Sequence, residues 1–439
     1  MMEGIIMTAQ LLLGLSILVG LHEMGHLLAA KAFGMRVEKF SIGFPPKIWG
    51  KTFGETEYSF GAIPLGGFVK ISGMIDESMD VKAMSSEPQP WEFRSKPAWQ
   101  RLIVMMGGIV VNVITGVIIF IILTFNQGDQ YLSKEELNKH GIVASTIAEE
   151  IGLKTGDRVL NISGEEYSRF SDLMSPNIFL DENVYLTVKR ADETLKVSIP
   201  NDFINKIADN DKVPYISFRH PFNVGQIVPG SPADAAGLLA GDKILGIGDE
   251  PVAYFDQLQT TLKDNAGNAV SLNIAREGQE MKLDATIGED GLLGFQAVAD
   301  IAFEYKELSF GEASAKGTEE AFAVVFSNIK AFGKMFKGDA SVSKSLSGPI
   351  GIARIFGGTW DWVKFWRITG LLSMVLAFMN FLPIPALDGG HVVFLTYEIV
   401  SGRKPSDKFL ENAQKVGMVL LLGIMGFAFF NDIVKYFIN

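Results

Sequence analysis

The sequence predicts a multi-pass α-helical membrane protein: four transmembrane helices and a membrane-associated β segment, with two tandem α+β domains outside the bilayer. Three observations carry this prediction. Four apolar runs, 7–33, about 102–125, about 368–387 and about 416–437, are each long enough to cross a bilayer, because about 20 residues rising 1.5 Å each cover the hydrocarbon core. Residues 34–75 alternate strand-like runs with Gly and Pro. Residues 128–300 repeat themselves at an offset of 85. The segments expected are 1–33 (first spanning helix), 34–101 (β region), 102–125 (second span), 128–220 and 221–305 (the two repeats), 306–365 (amphipathic connecting helices), 366–390 (third span) and 391–439 (a short helix and the fourth span).

The first run holds His22, Glu23 and His26 in its second half. Ionisable groups at membrane depth are costly unless they pair, face a cavity or bind an ion. On a helix, residues four apart share a face, so the two imidazoles fall within reach of one metal. The pattern His-Glu-x-x-His suits zinc, with the intervening Glu placed to take a proton from a water attacking a carbonyl. Gly25 lets a second backbone come close to such a metal. The chain has no Cys, so thiolate ligands and disulfides are excluded and zinc must use His and carboxylate donors. A cleaved leader is disfavoured because residues 1–6 carry no Lys or Arg and the apolar run is too long.

In the β region, Glu57–Phe60 and Gly67–Ile71 read as strands, with Gly61, Pro64, Gly66 and Gly67 as turn formers. A sheet edge formed by Gly66, Gly67 and Phe68 beside the metal helix would accept an extended substrate by strand addition; the alternative is a hairpin with no substrate role. The basic residues of 34–101 and 388–415 place both loops in the cytoplasm, which leaves the repeats outside. Asn112 in the second span is read as a helix-packing amide.

In the repeat, Gly152–Leu160 matches Gly237–Leu245, and Phe170 and Leu173 match Phe255 and Leu258. Residues 128–300 carry 28 acidic against 15 basic side chains, which accounts for the net charge of −11 and argues against nucleic acid as a partner. Beyond the repeat, Phe322, Val325, Phe326, Ile329 and Phe336 recur at helical spacing, fitting a helix on the membrane surface or on the second repeat. The third span runs into Asn380-Phe-Leu-Pro-Ile-Pro-Ala-Leu-Asp388-Gly-Gly-His391, where two prolines break the helix. Asp388 is the best third metal ligand, its alternative being an N-cap and its rival His391. Asn380 is placed to serve a substrate carbonyl or to pack between helices.

Ile227–Ala233 followed by Gly237-Leu-Leu-Ala-Gly-Asp242 resembles the PDZ domain, with the first copy a looser match. With His22-Glu-Met-Gly-His26, the Gly-rich β segment and Asn380 through Asp388-Gly389, the whole chain resembles the site-2 proteases, intramembrane zinc metalloproteases, and among them the bacterial regulator of sigma-E protease type. The resemblance implies zinc held by His22, His26 and Asp388, Glu23 as general base and Asn380 in substrate handling. It further implies a bacterial inner-membrane location with periplasmic PDZ domains acting as a size filter. The implied substrates are single-pass membrane proteins: a pre-cleaved anti-sigma factor and remnant signal peptides. Whether the PDZ domains bind peptide is left open. The readings it competes with are a membrane-anchored metalloprotease cutting soluble or misfolded proteins at the membrane face, and a non-catalytic PDZ scaffold.

Overall fold

The computed structural model describes residues 2–74, 87–210, 213–341 and 347–438; Lys82, one of the basic residues used above to orient the chain, lies outside them. The chain forms two compact units, residues 1–128 with 307–439, and residues 129–306.

In the first unit, four helices are long and apolar enough to cross a membrane: Met2–Ala32, Ala98–Gln127, Trp362–Phe381 and Lys408–Tyr436. Tryptophan marks their ends. Trp49 and Trp91 fall between the first two spans, Trp99 at the start of the second, and Trp360, Trp362 and Trp366 at the start of the third, the placement expected of indoles at two membrane interfaces. With no hydrophobic drive between helices in lipid, close association depends on small residues. A Cβ on Gly25 would lie 2.2 Å from the Gly107 carbonyl oxygen, and one on Gly107 would lie 2.6 Å from the Gly25 carbonyl oxygen, so the first two helices touch backbone to backbone here. Gly116 meets Met374 and Gly370 meets Ile119 where the second helix crosses the third.

The β region is more folded than two plain strands. Residues Val37–Phe53 and Thr56–Ile71 pair antiparallel, and each bends at its Gly and Pro residues. Lys39–Ile42 therefore pairs with Lys70–Gly67 on one side and with Glu57–Phe60 on the other, while Trp49–Phe53 covers the far side of Phe60–Thr56. The corner needs glycine: Gly43 has φ +89°, and a Cβ on Gly61 would lie 2.2 Å from the Phe44 carbonyl oxygen. Val37, Val69 and Ile71 share a core with Leu27 and Ala30 of the first helix and with Val104 and Met105 of the second. Ile48, Trp49, Phe53 and Phe60 are exposed.

The spanning helices have other bounds than the sequence predicts, and the amphipathic helix has a partner other than the membrane surface or the second repeat. The third spanning helix stops at Phe381, because Pro383 and Pro385 cannot continue it, and residues 382–387 form a loop before the helix Asp388–Ser401. The amphipathic helix extends over Phe310–Lys337 and packs on the second and third spanning helices, where a Cβ on Gly317 would lie 2.7 Å from Ile121 Cα.

In the second unit the duplication is visible in three dimensions. Leu153, Val159, Leu173 and Leu186 belong to one core, and Leu238, Ile244, Leu258 and Leu272 to the other. Each copy buries the Asp of its Gly-Asp turn. Asp157 accepts the Lys154 amide and two hydrogen bonds from Arg190, which also donates to the Gly152 carbonyl. Asp242, the Leu239 amide, Arg276 and the Gly237 carbonyl repeat this set. The arginines are 86 apart, not 85, so one residue is inserted after the matched stretch.

The Arg276 guanidinium holds the Asp242 carboxyl below the usual carboxylate range. A depressed folded-state pKa gives stability that is present above the unfolded value of about 4 and lost as pH falls through the folded value. Asp242→Asn should therefore weaken this repeat at neutral pH by about 2–3 kcal/mol. It should also flatten the acid dependence below pH 4. Hydrogen exchange of Lys243–Ile247 and Ala269–Arg276 in the full chain reads both.

Candidate metal centre

His22 and His26 come from the last third of the first helix, one turn apart, and their Nε2 atoms lie 3.2 Å from each other. Asp388 comes from 362 residues further on. Its Oδ2 lies 3.2 Å from His22 Nε2 and 3.3 Å from His26 Nε2, and among the described residues these three form the one group spaced to share a metal. The loop before Asp388 explains how it gets there. Ala386 holds φ +83°, a conformation costing a non-glycine residue of order 1–3 kcal/mol, and it turns the chain towards the histidines. Gly389 and Gly390 then let the next helix start against that loop, since a Cβ on either would lie 2.1 Å from the Leu382 carbonyl oxygen or 2.7 Å from that of Ile384. Asp388 is the first residue of its helix and does not cap it: Leu387 holds the N-cap position, without a side-chain cap.

The second helix supplies the surroundings. His26 Nδ1 lies 2.8 Å from the Val104 carbonyl oxygen and donates to it, which leaves the lone pair on Nε2. That lone pair faces Asp388 Oδ2, itself buried without a hydrogen-bond donor. With the ring neutral, two acceptors at 3.3 Å repel unless a proton or a metal ion lies between them, and two imidazoles with one carboxylate are a donor set of the kind zinc takes in catalytic sites. The residues thus fit a zinc ion. Gly108 sits beneath both rings, where a Cβ would lie 2.5 Å from His22 Cε1 and from His26 Nε2.

The cluster opens on a cavity of about 560 Å³. Glu23, Asn380, Gly66, Gly67 and Phe68 all line it, so every predicted site residue is brought to one place. Asn380 Nδ2 lies 3.4 Å from His22 Nε2. Gly67 lets the sheet approach the first helix, since a Cβ there would lie 3.5 Å from Glu23 Cγ. The strand Gly67–Ile71 is paired on one side only among the described residues. His391 lines the cavity but stands outside the three-residue cluster. Sequence reasoning missed Gln414 and Met418, which enter the cavity from the fourth spanning helix. The signal for Gln414 was an amide near the start of an apolar helix. Asn112, read as packing alone, has its amide Nδ2 3.2 Å from His22 Nδ1.

Two imidazoles, a carboxylate and a neighbouring Glu within apolar helices define a metal-dependent hydrolase of the membrane. Comparison with known proteins names the family. The description of peptidase family M50 matches residues 10–424, and the chain belongs to that family. It is 30% identical to the regulator of sigma E protease of Haemophilus influenzae over 97% of this chain and 98% of that protein. It is also 30% identical to the regulator of sigma-E protease RseP of Escherichia coli, over 97% of each. A Neisseria meningitidis protein named as a candidate zinc metalloprotease is 29% identical over 95% of this chain and 97% of its own length. The protein is a membrane-bound zinc metalloendopeptidase.

The backbone contact beneath the imidazoles gives a prediction. Gly108→Ala should weaken zinc binding about tenfold or more, as changes around metal ligands do. Gly423→Ala, where an added Cβ meets nothing within 4 Å, should leave it unchanged. Metal analysis of the detergent-purified variants after dialysis against a chelator compares the two.

Proposed function

We propose that the protein hydrolyses a peptide bond within or beside the transmembrane segment of single-pass membrane proteins. The observation that carries this reading is the convergence of His22, His26 and Asp388 inside a helical bundle, next to Glu23 and an open sheet edge. His22, His26 and Asp388 would hold the zinc. When bound, zinc supplies Lewis-acid polarisation of the scissile carbonyl and makes water a stronger acid.

The chain's own residues do the rest. A helical substrate shields its carbonyls in its own hydrogen bonds, so the cleaved stretch must be extended. The edge of Gly67–Ile71 to which no strand pairs among the described residues takes it as an added strand, and Gly66 and Gly67 leave room for its backbone. Asn380 donates its amide to the carbonyl oxygen as negative charge develops there. Glu23 takes the proton from the attacking water and passes it to the leaving amine. The exposed Ile48, Trp49, Phe53 and Phe60 set the sheet against lipid.

The basic loops 34–101 and 388–415 support a site towards the cytoplasmic face, with residues 129–306 on the opposite side as a PDZ pair that limits the size of what reaches the cavity. The names of the relatives link those proteins to sigma E; the resemblance to the site-2 proteases adds, as one substrate of a bacterial inner-membrane enzyme, a membrane-anchored anti-sigma factor already shortened by another protease. Remnant signal peptides have the same single-pass chemistry.

Glu23→Gln should keep its zinc and lose about 10²- to 10⁴-fold in cleavage of a membrane-spanning reporter, the usual contribution of a general base. Turnover near wild type would overturn the mechanism. Mass spectrometry of the reporter fragments should place the cut inside the apolar segment; a cut only in the flanking soluble sequence would favour a protease acting at the membrane face.

A further inference from the structure

Asn112 is almost fully buried in the second spanning helix, with 1% of its surface exposed. Its position is held from both sides. Ser373 Oγ donates to its backbone carbonyl at 2.7 Å, and its amide reaches His22 Nδ1 at 3.2 Å. Val104, Gly108 and Asn112 are spaced by four along the helix and therefore share one face. On that face Val104 offers a carbonyl to His26 Nδ1, Gly108 offers space to both rings, and Asn112 offers its amide to His22 Nδ1.

A neutral imidazole has one N–H and one lone pair. For His22 Nε2 to bind a metal, Nδ1 must carry the hydrogen, and a buried N–H needs an acceptor. The amide oxygen of Asn112 is buried and has no hydrogen-bond partner where it now lies. A half-turn of the amide exchanges its oxygen and nitrogen and brings that oxygen to Nδ1. Either orientation leaves one amide atom without a partner, but only this one gives His22 a hydrogen bond compatible with metal on Nε2.

We propose that Asn112 is a positioning residue for the metal centre: its side-chain oxygen accepts the Nδ1 hydrogen of His22 and so fixes the tautomer and ring orientation that present Nε2 to zinc. The second helix thereby serves both histidines, with a main-chain carbonyl for one and a side-chain amide for the other. The proposal rests on the zinc reading of the cluster, and it excludes a role for Asn112 confined to helix packing. Partners of this kind typically change metal affinity about 10- to 100-fold when removed.

The test measures zinc affinity of the full chain in detergent micelles by competition with a chromophoric chelator, with circular dichroism reporting helix content. Asn112→Leu, close in size and without an acceptor, should bind zinc about 10- to 100-fold more weakly. Asn112→Asp, which keeps an acceptor in the same place, should bind at least as tightly as wild type. Ser373→Ala, which loosens the same helix contact but leaves the amide, should bind as wild type does. Wild-type affinity in Asn112→Leu would overturn the proposal, as would a loss in Asn112→Asp as large as that in Asn112→Leu. If Asn112→Leu does not fold, Asn112→Asp set against Ser373→Ala decides: tight binding in the first supports the proposal, and weak binding in the first alone overturns it. A wild-type chain that takes up no zinc would instead overturn the zinc reading itself, a distinct result.

Discussion

The structure depends on the direct contact of two membrane helices at Gly25, Gly107 and Gly108. Lipid gives apolar side chains no reason to leave it, so helices approach this closely only where both lack side chains. At this crossing the absence of a Cβ on Gly108 leaves room for the imidazoles of His22 and His26. The same crossing brings the Val104 carbonyl to His26 and the Asn112 amide to His22, so the polar groups are met within the bundle and not exposed to lipid. Helix packing and site geometry are here one constraint.

The third donor arrives by a different route. A continuous helix through residues 381–391 would carry Asp388 along with the span and away from the histidines. Pro383 and Pro385 end the helix, Ala386 takes up a left-handed turn, and Gly389 with Gly390 restarts the chain tightly against the loop it has just left. Irregular backbone at membrane depth is tolerated where protein or a cavity covers it, and here it borders the cavity that the site opens on. The fourth spanning helix closes on the same loop: a Cβ on Gly417 would lie 1.6 Å from the Pro385 carbonyl oxygen.

Residues 129–306 follow the rules of a soluble fold. Two cores of matching residues are each tied by a buried Asp that satisfies a turn amide and an arginine. That unit is acidic and held by polar networks; the other unit buries polar groups at the metal cluster and also elsewhere, as in the Arg101–Glu398 ion pair and the Asp432 carboxylate that accepts the Gly348 and Gly351 amides.

Much of this was legible in the residues. Apolar length marked the four spans, the self-match at 85 marked the duplication, and the spacing of His22 and His26 marked a metal face, because helix rise and helix period are properties of the local chain. Asp388 was legible as a donor because a carboxylate after two prolines has few other reasons to lie at membrane depth. Partner choice was not legible. Nothing local says that Gln414 looks into the cavity, or that Asn112 meets His22 and not a neighbouring helix alone. These are encounters between residues from about 90 to nearly 400 positions apart. They are decided by which glycines let which backbones touch, and only the assembled bundle sets that.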